Sequence, residues 1–105
     1  MKHYLLFYSY VADYLERRAA LRDAHLRHAW EAQRRGILIL GGALSDPIDT
    51  GLLFFEAESP AVIEDFVRAD PYVLDGLVES WRIREWLTVV GASARSPLHP
   101  AAPAS

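Results

Sequence analysis

The chain has 105 residues, a formal net charge of −3 and no cysteine. This length predicts a single small domain. The lack of cysteine excludes disulfides, thiolate catalysis and thiolate metal ligands. An acidic balance without a basic patch argues against nucleic-acid and anionic-membrane partners. The longest apolar runs are far shorter than a membrane-spanning helix, so we expect a cytoplasmic protein.

The N-terminal half begins with a strand and continues into a long helix. Residues 4–8 are aromatic and aliphatic throughout, which predicts a central strand covered on both faces. Residues 16–35 lack Pro and Gly and predict one helix that ends at Gly36 with a left-handed C-cap. Three polar residues share one face of this helix because they lie three or four positions apart: Arg18, Arg22 and His25. A neighbouring stripe is predicted to face the core and comprises Leu15, Ala19, Leu26, Trp30 and Gln33.

A hairpin and a second helix follow. Residues 37–40 and 52–56 predict two short strands, and the Asp, Pro and Gly content of residues 46–51 predicts a turn between them. Ser59 and Pro60 are typical of a helix start, as the N-cap and the first helical position. The second helix is expected to end near Asp70, because a residue before proline disfavours helical geometry.

The C-terminal part divides into a last strand and a tail. Apolar and polar residues alternate over residues 81–89, apart from Glu85 and Trp86, which predicts a strand with one face in the core. Residues 92–105 are rich in Pro, Ala and Ser, and we expect a flexible tail there. The folded domain is therefore predicted to span residues 1–91.

The order strand, helix, strand, strand, helix, strand predicts an α+β fold of the ferredoxin-like type. In that fold an antiparallel sheet carries both helices on one face. The other face needs cover, because the first and third strands are apolar on both sides. A second copy of the chain, stacked sheet against sheet, provides that cover. We therefore expect a homodimer.

Several short motifs, in a specific order, resemble the YciI-like (YCII-domain) proteins over residues 1 to about 91. The motif residues are Arg18, Arg22, His25, Leu26, Gly36, residues 40–44, residues 70–72, Gly76, Leu77 and residues 81–86. One departure is Glu85, which stands where proline is common in that family and which concerns strand geometry more than chemistry.

The resemblance implies both a fold and a chemistry. The family is similar to the dimeric α+β barrel proteins, in agreement with the predicted architecture. It also implies that His25 and Asp70 form the active-site pair. Related activities are eliminations or isomerisations of small ring compounds without a cofactor, so the resemblance implies a cofactor-free lyase or isomerase.

The residue types of this pair suit acid–base chemistry. An imidazole, with an ordinary pKa of about 6.5, is the most useful general base or acid near neutrality. A carboxylate that accepts from one ring nitrogen fixes the tautomer and leaves the other nitrogen free for a substrate proton. Two structural alternatives stay open: Asp70 as a turn residue before proline, and His25 as a histidine satisfied by its surroundings.

Three further residues are candidates for substrate binding. Arg22 lies one turn before His25 and suits an anionic group, or alternatively an ion pair with Asp23, with Glu16 or with a partner chain. Arg18 has the same two alternatives, and the ion pair is favoured slightly. Tyr72 is either a core aromatic residue or a ligand contact. We expect no metal site, because His25 and His28 have the wrong spacing for a zinc-protease helix.

Two functional interpretations therefore stand, beside a structural one. The first is a cofactor-free enzyme in which His25 and Asp70 act on a small, anionic ring or carbonyl compound. The second is a non-catalytic homodimer that binds a small ligand in the same pocket. A purely structural dimer would require a sealed His25.

Overall fold

A computed structural model of the chain describes residues 1–101. The regular elements are β1 (Lys2–Tyr10), α1 (Tyr14–Arg17), a 3₁₀ turn (Arg18–Ala20), α2 (Arg22–Arg34), β2 (Leu38–Ala43), β3 (Thr50–Ala57), α3 (Pro60–Ala69), α4 (Pro71–Leu74) and β4 (Val78–Glu85). Among these residues, no helix combines the length and the apolar character that crossing a membrane requires. The cytoplasmic location stays a prediction.

The four strands form one antiparallel sheet in the order β2-β3-β1-β4. β1 lies inside the sheet, with β3 on one side and β4 on the other, as its apolar sequence predicts. The register places Leu6 opposite both Leu53 and Ile83. This topology confirms the predicted α+β, ferredoxin-like class.

The core lies between one face of the sheet and the helices. Residues four apart on β1, Tyr4 and Tyr8, point to this face and are 3% and 0% exposed. α3 contributes the stripe that its sequence predicts, with Ile63, Phe66 and Val67 buried. Ser59 precedes α3 in an extended conformation, although its side chain makes no capping hydrogen bond.

The prediction of one helix over residues 16–35 is wrong in its first half. α1 gives way to the 3₁₀ turn, in which Leu21 N–H donates to Arg18 O, and α2 begins only at Arg22. The interruption has no Pro or Gly, so helix propensity carries no sign of it; the tertiary packing of Tyr14 and Leu21 overrides propensity here. At the other end Gly36 adopts φ +78°, the left-handed conformation predicted for it.

The predicted core stripe of this helix is also wrong. Leu15 and Trp30 are more than half exposed, at 52% and 58%. The face that packs on the core instead carries Ala32 and His28, whose Nε2 donates a 2.8 Å hydrogen bond to Phe66 O and whose ring stacks on Phe66. Because that partner satisfies the imidazole, a histidine replaces an apolar residue on the buried face.

The last strand is displaced from its predicted position at 81–89. β4 spans Val78–Glu85 and is an edge strand, so only Val78 and Ile83 pack against the core. Beyond it, Thr88 Oγ1 lies 2.8 Å from His3 Nδ1, while His3 Nε2 lies 3.3 Å from Glu56 Oε2. These contacts attach the segment after β4 to the sheet.

Residues 91–98 fold back on the segment after β4 and form backbone hydrogen bonds with it. Ser96 N–H donates to Thr88 O, and Leu98 N–H donates to Val89 O at 2.8 Å. The domain boundary at residue 91 and the flexible tail stay predictions, and the last four residues of that tail, 102–105, lie outside the described part of the chain.

Candidate functional site

His25 and Asp70, far apart in the sequence, are in direct contact. His25 lies in the first turns of α2, and Asp70 occupies the corner between α3 and α4. Nδ1 of His25 is 2.7 Å from Oδ1 of Asp70. The side chain of Asp70 is completely buried, whereas that of His25 remains 14% exposed. The contact joins a buried acceptor to an imidazole that solvent and small ligands can reach.

Three donors hold the Asp70 carboxylate in place. Oδ1 accepts from Tyr72 N–H at 3.0 Å as well as from His25, and Oδ2 accepts from the Tyr8 hydroxyl at 2.8 Å. The corner geometry follows from Pro71, since Asp70 is kept in an extended conformation that aims its side chain at the next turn. Both oxygens of this completely buried carboxylate therefore have hydrogen-bond donors from the protein.

The Asp70 oxygen that faces His25 determines the tautomer of the imidazole. Oδ1 is an acceptor, so the proton of the neutral ring lies on Nδ1. No hydrogen bond within residues 1–101 occupies Nε2. The neutral imidazole therefore presents an unprotonated nitrogen, and His25 lines a cavity.

Aromatic rings fix the position of the imidazole. The His25 ring stacks on Tyr72, with centroids 3.8 Å apart and planes 3° from parallel. Tyr72 meets Tyr14 edge to face at 5.8 Å, and Tyr14 stacks on Tyr10 at 3.8 Å. A chain of four rings thus runs from β1 to α2, and it leaves the imidazole little freedom to rotate.

The phenol groups of the site stay protonated well above neutral pH. Burial, followed by the neighbouring Tyr14 hydroxyl, raises the pKa of Tyr72 to about 12, while the guanidinium groups of Arg22 and Arg18 act in the opposite direction. Burial likewise raises the pKa of Tyr10 and of Tyr8 above the ordinary value. These hydroxyls are therefore neutral hydrogen-bonding groups at neutral pH.

A cavity of about 400 Å³ opens beside the imidazole, between α2 and β2. Arg18, Arg22, His25 and Tyr72 all line it, so four of the five candidate residues share one space. The Arg18 guanidinium carbon lies 5.6 Å from the centre of the Tyr14 ring. Asp70, the fifth candidate, lies behind His25 and reaches the cavity only through it.

Neither arginine forms an ion pair with Asp23 or Glu16. The ion pairs formed by arginines in residues 1–101 involve Arg17, Arg34 and Arg68. An ion pair of Arg18 with a partner chain, the remaining form of the slight preference for Arg18, stays a prediction. Both guanidinium groups bring positive charge to the cavity without a carboxylate partner from the described chain.

Sequence reasoning missed three tyrosines, Tyr8, Tyr10 and Tyr14. The sequence pattern places Tyr8 in a strand and gives no functional role to Tyr10 or Tyr14, yet Tyr8 bonds Asp70 and the other two line the cavity. A signal was available, since a tyrosine in a buried strand needs a partner for its hydroxyl. Among residues 1–101, no group of three His, Asp or Glu side chains is arranged to hold a metal ion.

Comparison with known proteins gives a family and a fold. The family model described as the YCII-related domain matches residues 1–87. No curated protein matches the chain. The fold is similar to that of 5-chloro-2-hydroxyhydroquinone dehydrochlorinase (TftG) from Burkholderia phenoliruptrix AC1100, solved in complex with 2,5-dihydroxybenzoquinone. The TM-score is 0.70 at 21% identity, covering 82% of this chain and 94% of that chain.

Proposed function

The chain belongs to the YCII-related domain family, and from that premise we propose that it is a cofactor-free enzyme of the lyase or isomerase type. Its substrate is a small, anionic ring or carbonyl compound. The observation that carries this proposal is the 2.7 Å contact between His25 Nδ1 and the buried Asp70 carboxylate. It gives an imidazole with a defined tautomer beside an open cavity.

In the proposed reaction, His25 is the general base and Asp70 is the residue that positions it. Nε2 of His25 removes a proton from a carbon next to a carbonyl group or on an activated ring. The Asp70 carboxylate stabilises the imidazolium that forms. The same imidazolium returns the proton to another atom in an isomerisation, or releases it after a leaving group departs in an elimination.

The two arginines and Tyr72 contribute to substrate binding. Arg22 and Arg18 attract and orient an anionic oxygen of the substrate, since both reach the cavity unpaired within the described chain. Tyr72 supports the imidazole by stacking and forms part of the wall. The structural neighbour was solved in complex with 2,5-dihydroxybenzoquinone, which supports ring compounds with acidic oxygens as the first ligands to test.

The proposal is tested by proton exchange, which needs no knowledge of the complete reaction. Hydroxylated quinones and ring carbonyl compounds are incubated with the chain in D₂O, and loss of ring protons is followed by NMR. We expect exchange with the wild type, a decrease of at least 100-fold in His25→Ala, and retained binding in that variant. Exchange that survives His25→Ala would remove the proposal.

The second interpretation, a ligand-binding protein without catalysis, has its own outcome in this experiment. It predicts binding of the same rings with no exchange and no loss of a leaving group in the wild type. The partial exposure of His25 supports both of these interpretations over a purely structural histidine, which would be sealed from solvent.

We also propose that the chain forms a homodimer through the sheet face opposite the helices. The register brings Leu5 beside Phe54 and Phe7 beside Leu52 on that face, and all four are only half-buried in the single chain. Arg82 covers Phe7, with its guanidinium carbon 4.8 Å from the ring centre. A second sheet stacked on this face would bury these side chains.

A further inference from the structure

The cavity beside His25 changes character along its length. The end at His25 carries the arginines and tyrosine hydroxyls described above. The opposite end lies between the later turns of α2 and the edge strand β2. Apart from Gln33, its lining there is apolar: Leu26, Ala29, Trp30, Leu38 and Ile39. Trp30 is 58% exposed and Ile39 is 44% exposed, so the single chain leaves much of this apolar surface uncovered.

Gly41 helps to keep the apolar end open. It lies on β2 opposite Leu53 and lines the cavity. A Cβ at this position would be 3.4 Å from Leu53 Cγ, which is ordinary contact, so packing around the backbone does not demand a glycine. The missing side chain leaves space between the strand and the helix.

We infer that the apolar end binds a hydrophobic substituent of the ligand, so that the substrate class is an anionic ring bearing an alkyl or aryl group. The inference rests on the proposed function, which places the anionic ring at His25. The two ends are one continuous cavity of about 400 Å³, within the range of pockets that enclose a substituted ring. From His25 to Trp30 the α2 axis rises by about 7 Å, which is room for a second ring or a short chain.

The difference in charge between the two ends of the cavity determines the orientation of the bound ligand. Arg18 and Arg22 lie at the His25 end, where an acidic oxygen gains a charged partner. Placing an alkyl group there would bury guanidinium groups against hydrocarbon, whereas at Trp30 the same group removes apolar surface from water. The ring therefore lies at His25 and the substituent points along α2.

The test is a series of ligands with a constant ring and a growing chain. We would use 2,5-dihydroxybenzoquinone with hydrogen, methyl, propyl or pentyl at the adjacent ring carbon, and a parallel series of 4-alkylbenzoates. Affinity is measured by calorimetry. The wild type should gain about threefold per methylene, as expected for carbon buried against an apolar wall.

Two variants locate the effect. Trp30→Ala should reduce the gain per methylene to less than twofold while leaving the affinity for the unsubstituted ring within about twofold. Gly41→Val should lower the affinity for the pentyl ligands at least fivefold and spare the parent ring. Trp86→Ala is the matched control, because Trp86 is also exposed, at 46%, but packs on Phe54, away from this cavity.

Equal affinity along the series in the wild type, or an unchanged gain in Trp30→Ala, overturns the inference. A change in the sedimentation mass of unliganded Trp30→Ala would show that a protein partner covers this end, and would overturn it too. A full gain per methylene together with proton exchange that survives His25→Ala would refute the proposed function and leave this inference standing. Absence of binding by both series overturns both.

Discussion

The hydroxyl of Tyr8 donates a 2.8 Å hydrogen bond to Asp70 Oδ2, the carboxylate oxygen that His25 does not contact. Both side chains are completely buried. The central strand of the sheet therefore supports the carboxylate that positions His25, and the site is continuous with the core.

Replacing Tyr8 by phenylalanine should destabilise the fold by about 1–3 kcal/mol, because it leaves a buried carboxylate oxygen without its donor. Urea unfolding at neutral pH measures the loss. Tyr4→Phe is the matched control: Tyr4 lies on the same face of β1 and is 3% exposed, but makes no side-chain hydrogen bond within residues 1–101. Equal losses in the two variants would contradict the role given to Tyr8.

Asp70→Asn should separate the contact with His25 from simple packing. An amide presents one acceptor and one NH₂ group where the carboxylate presents two acceptors, so at least one of the three donors faces a hydrogen. We expect the downfield NMR signal of the His25 Nδ1 proton to move or disappear, with a loss of about 1–3 kcal/mol in unfolding free energy. Asp23→Asn, at an exposed position of α2, should change neither quantity.

Alkaline pH should destabilise the folded chain through its tyrosines. The pKa of Tyr72 is about 12 when folded, against 10.0 for an ordinary tyrosine. The unfolded chain therefore loses this proton first, and stability falls as the pH rises from about 10 to about 12. Below pH 10 this contribution is fully present.

Urea unfolding at pH 9, 10, 11 and 12, with tyrosinate absorbance as a second signal, measures this slope. Tyr72→Phe should flatten it without abolishing it, because the pKa values of Tyr8 and Tyr10 are also raised. A slope as steep in Tyr72→Phe as in the wild type would show that Tyr72 does not take part.

Gly51→Ala should disturb the site from β3, the strand that pairs with β1. A Cβ at Gly51 would overlap the Tyr10 hydroxyl and lie 3.0 Å from its Cζ, so the ring that stacks on Tyr14 must move. We expect a loss of about 1–3 kcal/mol and weaker ligand binding. At Gly42, on the adjacent strand, a Cβ meets nothing within 4 Å, and Gly42→Ala should have little effect on stability.

The proposed dimer predicts a charge-sensitive sheet face. Leu52→Lys places an ammonium group among half-buried apolar side chains and should weaken association more than tenfold. Sedimentation equilibrium measures the change. Leu74→Lys is the control. Leu74 is 67% exposed on the short helix α4, which lies on the helix-covered face of the sheet and not on the proposed dimer face. A wild-type chain that sediments as a monomer at all concentrations would refute the dimer.

Local sequence patterns account for the order of the main elements and for most of the α3 packing. The alternation of apolar residues in strands, their helical spacing, and the start and end signals at Pro60 and Gly36 are all local patterns. The fold follows from the resulting order of strands and helices, because few topologies accept that order. The resemblance to a family also singled out His25 and Asp70, although no local pattern predicts that two residues 45 positions apart will touch.

The construction of the site depends on contacts between segments that are distant in the sequence. The break before Arg22, the exposure of Trp30 and the contact of His28 with Phe66 all depart from the local pattern. Each depends on what lies opposite the helix. For the same reason the role of Tyr8 could not be predicted. Its hydroxyl has a partner only because the sheet brings β1 beneath the corner at Asp70. Contacts between distant segments arise from packing, and a linear pattern does not contain them.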